Sequence, residues 1–257
     1  MTKKIAQKTH LEHGNKGYIE DQREFFDKLV TEDWDAYLNP HWDRTRRFEV
    51  QQILHLVPHC QSVLDVGCGC GYHDLIFARA AGIERVVGID YSIKSIERAN
   101  THYPHPKVTR FTADIFSDHE MITRAGYFDL VTSFQVIEHL TNPVEFLAAC
   151  AACAPVGGYV AVVTPNKMRL VNRVRRCFGR VPGLGDPLHF DEYAISDFIT
   201  MGQKIGLAYT DHFGHSTSFG LKGITLIEGN SAFALKLGQY APTWANVIGV
   251  VFQKKQQ

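Results

Sequence analysis

The chain has 257 residues, 45% of them hydrophobic and 21% charged, and its 27 basic side chains are matched by 27 acidic ones. A chain of this size buries enough apolar surface for one sizeable core, which points to a single globular domain. Zero net charge excludes a global field that recruits RNA or DNA, and no run approaches the roughly eighteen apolar residues of a membrane span, so a small-molecule substrate and a cytoplasmic location are expected.

Between residues 19 and 38, Phe25, Phe26, Leu29, Val30, Trp34 and Tyr37 recur near helical spacing; Asn39-Pro40 interrupts, and the pattern resumes from Trp42 to Val57. Two helices joined by a kink are expected as an amino-terminal cap, either lying over the carboxyl ends of the strands or forming an ordinary outer pair. The next run, VLDVGCGCGYH from Val63 to His73, sets an apolar strand directly against Gly67, Gly69 and Gly71. Glycine at alternate positions strips one side of a loop of its Cβ atoms, so the backbone can touch a ligand, and the helix that follows offers it free N–H groups. The spacing is G-x-G-x-G, whereas the dinucleotide fingerprint is G-x-G-x-x-G. Asp65 at the mouth of the loop would repel a diphosphate and favour a ligand carrying an amino group and a sulfonium, and S-adenosyl-L-methionine is such a ligand. The run VVGID then ends at Asp90, where an acid would meet ribose hydroxyls.

Helix from His73 to Ala81, closed by Gly82, precedes a strand from Arg85 to Ile89. Ser92 caps a helix from Ile93 to Asn100, and strands follow from Lys107 to Thr112, from Phe128 to Val136 and from Tyr159 to Val163, with a helix starting at Pro143 before the last. Strand and helix alternate, so the sheet is parallel with right-handed crossovers. Six cysteines in such a chain read as reduced thiols; Cys150 and Cys153 lie in FLAACAACAP, an apolar helix, and read as packing. Residues 167–190 carry an amphipathic basic stretch. Leu170, Val171, Val174, Cys177, Phe178 and Val181 fall on one helical face, with Arg169, Arg173, Arg176 and Arg180 on the other. It is either a lid or a peripheral contact with an anionic membrane surface through Arg169 to Arg180. A helix from Ala194 to Ile205 and strands from Leu207 to His212 and from Asn246 to Gln253 complete the pattern, with residues 221–241 as a linking region.

The segments VLDVGCGCG, VVGIDYS, TADIF, FDLVTSFQVIEHL and PVGGYVAVVTPN, in that order, resemble the class I (Rossmann-type) S-adenosylmethionine-dependent methyltransferases. The similarity is greatest to the branch containing the ubiquinone-biosynthesis O-methyltransferases and covers roughly Arg47 to Asn166. The resemblance implies an α/β fold with a doubly wound, seven-stranded, mostly parallel sheet, its last strand antiparallel and helices on both faces. One domain is expected, with a cap at 1–57, a cofactor core at 58–166, the basic insertion at 167–190 and the rest of the sheet at 191–257. By the same resemblance Arg47, with Arg44 and Arg46 as rivals, binds the cofactor carboxylate, and Asp65, Gly67, Gly69 and Gly71 form its loop. Asp90 and Tyr91 meet the ribose, Asp114 and Ile115 the adenine, and Phe134 and Gln135 the methionine part.

Glu138 and His139 then stand near the transferred methyl group, with His189 of PLHFDEY facing the pocket. A phenol of pKa about 10 is mostly protonated at neutral pH, so a nearby histidine would act as its base; His139 is that candidate. The family pattern E-x-x-E-H, which can bind a divalent cation, has Gln135 in place of its first acid here. An amide is a weaker ligand for a hard cation, so no metal is expected. Methyl transfer to oxygen of a small molecule is the expected activity; N- or C-methylation, or a non-catalytic S-adenosylmethionine-binding regulator, are the alternatives.

Overall fold

The computed structural model describes residue 27 and residues 40–124, 126–186, 189–221, 224–227 and 231–256. Five short apolar runs form β1 (Ser62–Val66), β2 (Arg85–Asp90), β3 (Val108–Thr112), β4 (Leu130–Phe134) and β5 (Tyr159–Pro165), all paired in parallel. β6 (Leu207–His215) and β9 (Val247–Lys254) complete a seven-stranded sheet of order β3-β2-β1-β4-β5-β9-β6, in which β9 alone is antiparallel to its neighbours.

Helices cover both faces of the sheet, so its central strands bury nearly every side chain rather than alternate ones. On one face Leu64, Val131, Val160 and Val250 pack against Phe146, Leu147 and Cys150 of α5 (Pro143–Ala152) and Phe198 of α7 (Ile195–Lys204). Cys153 is buried in that same cluster, as the packing reading of the cysteine pair expects. On the other face Val63, Leu130, Ala161 and Val251 meet Val50 and Ile53 of α1 (Pro40–Leu56) and Phe77 of α2 (Tyr72–Arg79). Strand order reverses between β1 and β4, and the crevice outside the carboxyl ends of strands at such a reversal is where open α/β sheets bind ligands. The glycine loop leaves β1 there, and the segment Gln135–His139 leaves β4 beside it.

Several elements differ from the expectation. The second cap helix is α1, but the first, at residues 19–38, lies outside the described residues apart from Asp27. Crossover helices α2 and α3 (Ile93–His102) stand as expected, and a short α4 (His119–Thr123) follows β3. The linking region holds a hairpin, β7 (Phe219–Leu221) with β8 (Ile224–Ile227), and α8 (Ala232–Tyr240). In the insertion, α6 spans only Leu170–Cys177. Helical-face counting over residues 169–181 therefore fails at both ends: Arg169 is the N-cap, with extended backbone, and turns inward, while Phe178, Arg180 and Val181 lie beyond the helix.

Candidate active site

The three loop glycines all have left-handed backbone, with φ of 74° at Gly67, 49° at Gly69 and 73° at Gly71. Their reasons differ. A Cβ on Gly67 would lie 2.5 Å from Val136 Cγ2, and one on Gly71 would lie 2.6 Å from Arg110 Nε, whereas one on Gly69 meets nothing within 4 Å among the described residues. Gly67 and Gly71 thus let the loop pack onto the protein, and at Gly69 the described residues leave the loop open. The N–H groups of Gly67 and Cys68 donate to Ile89 O at 2.8 and 2.9 Å, and that of Gly69 donates to Asp90 Oδ2 at 2.9 Å. Asp90 also accepts from Ser92 N–H at 2.9 Å; burial pushes its carboxyl up to about 6. Tyr91 follows it at the same strand end.

Beneath the loop lies a charged cluster that no local pattern announces. Asp74 is buried and paired with Arg110 Nε at 2.6 Å, and the same guanidinium donates to Gly71 O and Tyr103 O, each at 3.1 Å. Asp65 accepts from Thr132 Oγ1 at 3.2 Å, and its Oδ2 has no hydrogen-bond partner among the described residues. Burial, and after it the charge of Asp74, push the Asp65 carboxyl well above its ordinary value. Asp65 is therefore not the solvated free anion its sequence position implies. The one hint of this cluster in the sequence is an arginine in the middle of a strand, VTRFT.

Among the three arginines of α1, Arg47 is exposed and paired at 2.9 Å with Asp43, one turn earlier, its Nη2 3.5 Å from the Tyr72 hydroxyl. Arg46 is the buried one, its guanidinium 5.4 Å from the Tyr72 and Trp42 ring centroids. Both Arg46 and Arg47 thus reach Tyr72, the first residue of α2, and Arg46 is the buried one of the two. Arg44 is exposed. At the end of β3, Asp114 Oδ1 accepts from Phe116 N–H at 3.0 Å, so this side chain also shapes its own turn, and Ile115 is buried beside it.

At the end of β4 the backbone takes a left-handed step at Gln135, with φ of 56°, while Gln135 N–H still donates to Val163 O at 2.8 Å. That step starts the 3-10 turn Ile137–His139. Phe134 stacks on His73, ring centroids 3.7 Å apart and planes 7° from parallel. His73 in turn meets Glu49 Oε2 at 2.9 Å, and His215 meets Glu49 Oε1 at 2.8 Å. Burial would raise the Glu49 carboxyl, but hydrogen bonds from the two histidines outweigh it and hold it at about 2. Residues 49, 73 and 215 share no sequence signal.

Glu138 is fully buried: Oε2 accepts from Thr164 Oγ1 at 2.9 Å, Oε1 has no partner among the described residues, and burial pushes the carboxyl up to about 7. Its backbone carbonyl accepts from Phe190 N–H at 2.8 Å, which docks the His189 segment on the turn. His139 and His189 meet edge to face with centroids 5.0 Å apart. A carboxylate oxygen of Glu138 and one ring nitrogen from each histidine all lie within 4.8 Å of one another. One oxygen and two imidazoles suit a borderline cation such as zinc better than a hard one such as magnesium. The structure thus brings Glu138, His139 and His189 into one cluster, beside Phe134 and Gln135 and next to the glycine loop.

The profile of the methyltransferase domain matches residues 22–212. This chain belongs to the methyltransferase-domain family. A Mycolicibacterium smegmatis protein named "probable S-adenosylmethionine-dependent methyltransferase" is 27% identical over 191 residues, covering 74% of this chain and 68% of that protein. A ubiquinone biosynthesis O-methyltransferase of Aromatoleum aromaticum is 35% identical over 114 residues, 41% of this chain and 44% of its own length; the match thus spans less than half of that relative. Among solved structures, the Bradyrhizobium japonicum N-methyltransferase NodS with S-adenosyl-L-homocysteine superposes with a TM-score of 0.56 at 15% identity, covering 91% of this chain and 98% of NodS. An Archaeoglobus fulgidus SAM-dependent methyltransferase gives 0.55 at 17% identity, covering 81% and 92%. The protein is an S-adenosylmethionine-dependent methyltransferase, with the seven-stranded fold its sequence implies.

Proposed function

We propose that this methyltransferase acts as one domain on a small molecule in the cytoplasm, moving the methyl group to a hydroxyl or phenol with His139 as general base. Cytoplasmic placement is supported by six cysteines that all remain thiols. The observation that carries the acceptor reading is the cluster of Glu138, His139 and His189 at the end of β4. Methyl transfer is an in-line displacement at carbon already activated by the sulfonium, so alignment and exclusion of water do most of the work. A neutral hydroxyl acceptor additionally needs a base, and this cluster supplies one; an amine that arrives neutral, with its lone pair free, does not need it.

In this reading Gly69 and the loop face the methionine part together with Phe134 and Gln135. Asp90 and Tyr91 hold the ribose, Asp114 and Ile115 the adenine, and Arg46 or Arg47 the carboxylate. Calorimetric titration tests it: S-adenosylmethionine and S-adenosylhomocysteine bind and NAD does not. Asp90→Ala loses charge-assisted hydrogen bonds worth about 1.5 to 3 kcal/mol each, roughly a ten- to hundredfold weaker affinity. Tight NAD binding, or an unchanged affinity in Asp90→Ala, overturns the cofactor assignment.

The proposal needs no metal, since Gln135 offers an amide where the related pattern has an acid. The 4.8 Å cluster favours a second reading, in which Glu138, His139 and His189 hold a divalent cation that lowers the pKa of the acceptor hydroxyl. Chelation decides between them: turnover that survives exhaustive treatment keeps the imidazole base alone, and a loss restored by zinc or manganese assigns the three side chains to the ion.

The insertion offers a membrane-surface contact, now with a changed set of residues. Arg169 leaves the patch because it is buried against Glu192, and Arg173 is tied to Met168 O at 2.9 Å. Arg175, Arg176 and Arg180 remain exposed beside Phe178, 76% exposed, and Val181, 84% exposed. No helix among the described residues is long and apolar enough to cross a membrane, so any such contact is peripheral. Each basic residue near an anionic bilayer contributes about 1 kcal/mol. Co-sedimentation with anionic vesicles at low salt, lost at high salt and in Arg175→Glu/Arg176→Glu, supports the contact; no sedimentation leaves the insertion as a lid.

A further inference from the structure

Glu192 follows His189 by three residues and is buried between the insertion and the cluster. One carboxylate oxygen, Oε2, pairs with Arg169 Nη1. The other, Oε1, faces two groups, the N–H of Gly185 at 2.5 Å and His189 Nδ1 at 3.1 Å. The Arg169 guanidinium and the Gly185 N–H, two groups that only donate, face this carboxylate as an ionised group requires. An ionised carboxylate only accepts, so the hydrogen of the Glu192 contact belongs to His189 Nδ1, and in a neutral imidazole Nε2 is then the lone-pair nitrogen.

The same carboxylate anchors the insertion. Arg169 Nη2 donates to Gly183 O at 2.6 Å and Nη1 to Asn166 O at 3.0 Å; Asn172 donates to Gly183 O at 2.9 Å and accepts from Gly183 N–H at 3.0 Å. A Cβ on Gly185 would sit 3.0 Å from Glu192 Oε1 and 4.0 Å from His189 Cε1, so the loop lies directly on both. We propose that Glu192 is a positioning residue that fixes His189 as the Nδ1–H tautomer and docks the insertion loop, so that a lone-pair Nε2 is presented to the acceptor side. Holding the loop needs the bonds of Glu192 to Arg169 and Gly185 together with Asn172; the further bond from His189 to Oε1 adds nothing to that task and decides which nitrogen of the ring is basic. The other charged or titratable groups around the ring are Glu138, His139 and Arg169, with Asp186 O accepting from His189 N–H at 3.3 Å. The role of the tautomer rests on the proposed acceptor-side place of His189; the tautomer itself does not.

Long-range proton–nitrogen correlation on the histidine-labelled full chain, with the His189 signals assigned by their loss in His189→Asn, reads the tautomer without any acceptor. The expected result is Nδ1 protonated and Nε2 bare in the native protein. In Glu192→Gln that preference is lost, and tryptic cleavage at the exposed Arg175, Arg176 and Arg180 speeds up. A native Nε2–H tautomer overturns the proposal, as does a Glu192→Gln chain that is cleaved faster while its His189 tautomer is unchanged, for then Glu192 only holds the loop. Should Glu192→Gln fail to fold, the native tautomer still decides. Full turnover in His189→Asn with the Nδ1–H tautomer present would instead count against the acceptor-side role alone.

Discussion

Replacing His139 with alanine lowers turnover by about 10²- to 10⁴-fold, the usual contribution of general-base assistance, and leaves the affinity for S-adenosylmethionine nearly unchanged. The split follows from geometry. In the proposed site the cofactor side is built by the glycine loop, Asp90 and the end of β3, whereas His139 belongs to the turn after β4, with its ring against His189. A residue that acts on the acceptor proton is felt in kcat and kcat/KM together, and one that shapes the cofactor pocket is felt in binding. Single-turnover rates beside calorimetry of S-adenosylmethionine make the measurement. If cofactor affinity collapses with turnover, His139 is part of the scaffold. If turnover is intact, the acceptor is an amine or an already ionised group.

Gly71→Leu and Gly69→Leu, two residues apart in one loop, fail in opposite ways. At Gly71 the new side chain enters the space of Arg110 Nε and, at 2.9 Å, Ala99 Cβ, where Arg110 holds the buried Asp74. Separating a buried ion pair costs about 3 to 5 kcal/mol, and left-handed backbone costs a further 1 to 2 kcal/mol or so for a residue with a Cβ. At roughly 2 to 4 °C per kcal/mol for a chain of this size, the thermal midpoint falls by about 10 °C or more. At Gly69 only the backbone penalty applies, because a Cβ there meets nothing within 4 Å among the described residues. Gly69→Leu therefore stays folded with a midpoint lowered by only about 2 to 8 °C, and loses cofactor binding because its side chain occupies the face the ligand approaches. Thermal unfolding with and without S-adenosylmethionine separates the two; a Gly69→Leu chain that S-adenosylmethionine still stabilises would mean that the loop's open side is not where the cofactor lies.

What the sequence by itself determined is what short-range physics governs. A strand covered on both faces is buried throughout, so the mainly apolar runs VLDV, VVGID, LVTSF and YVAVV announce a parallel sheet, and a loop that steps left-handed three times in five residues announces itself as glycines 67, 69 and 71. Position along such a sheet then brings Asp90, Asp114 and Glu138-His139 to the same edge. The tertiary structure alone decided which charged groups are buried and in what state. Glu49 between His73 and His215, Asp74 under Arg110, and Glu192 between Arg169 and His189 each join residues from separate elements, 23 positions apart for Arg169 and Glu192 and 166 for Glu49 and His215. Arg169 looked like part of an exposed basic face, and Asp65 like a free anion, because a charge's sign is local while its solvation is not. Whether a carboxylate ionises, or a guanidinium turns inward, depends on partners and on water excluded by chain that arrives much later in the sequence.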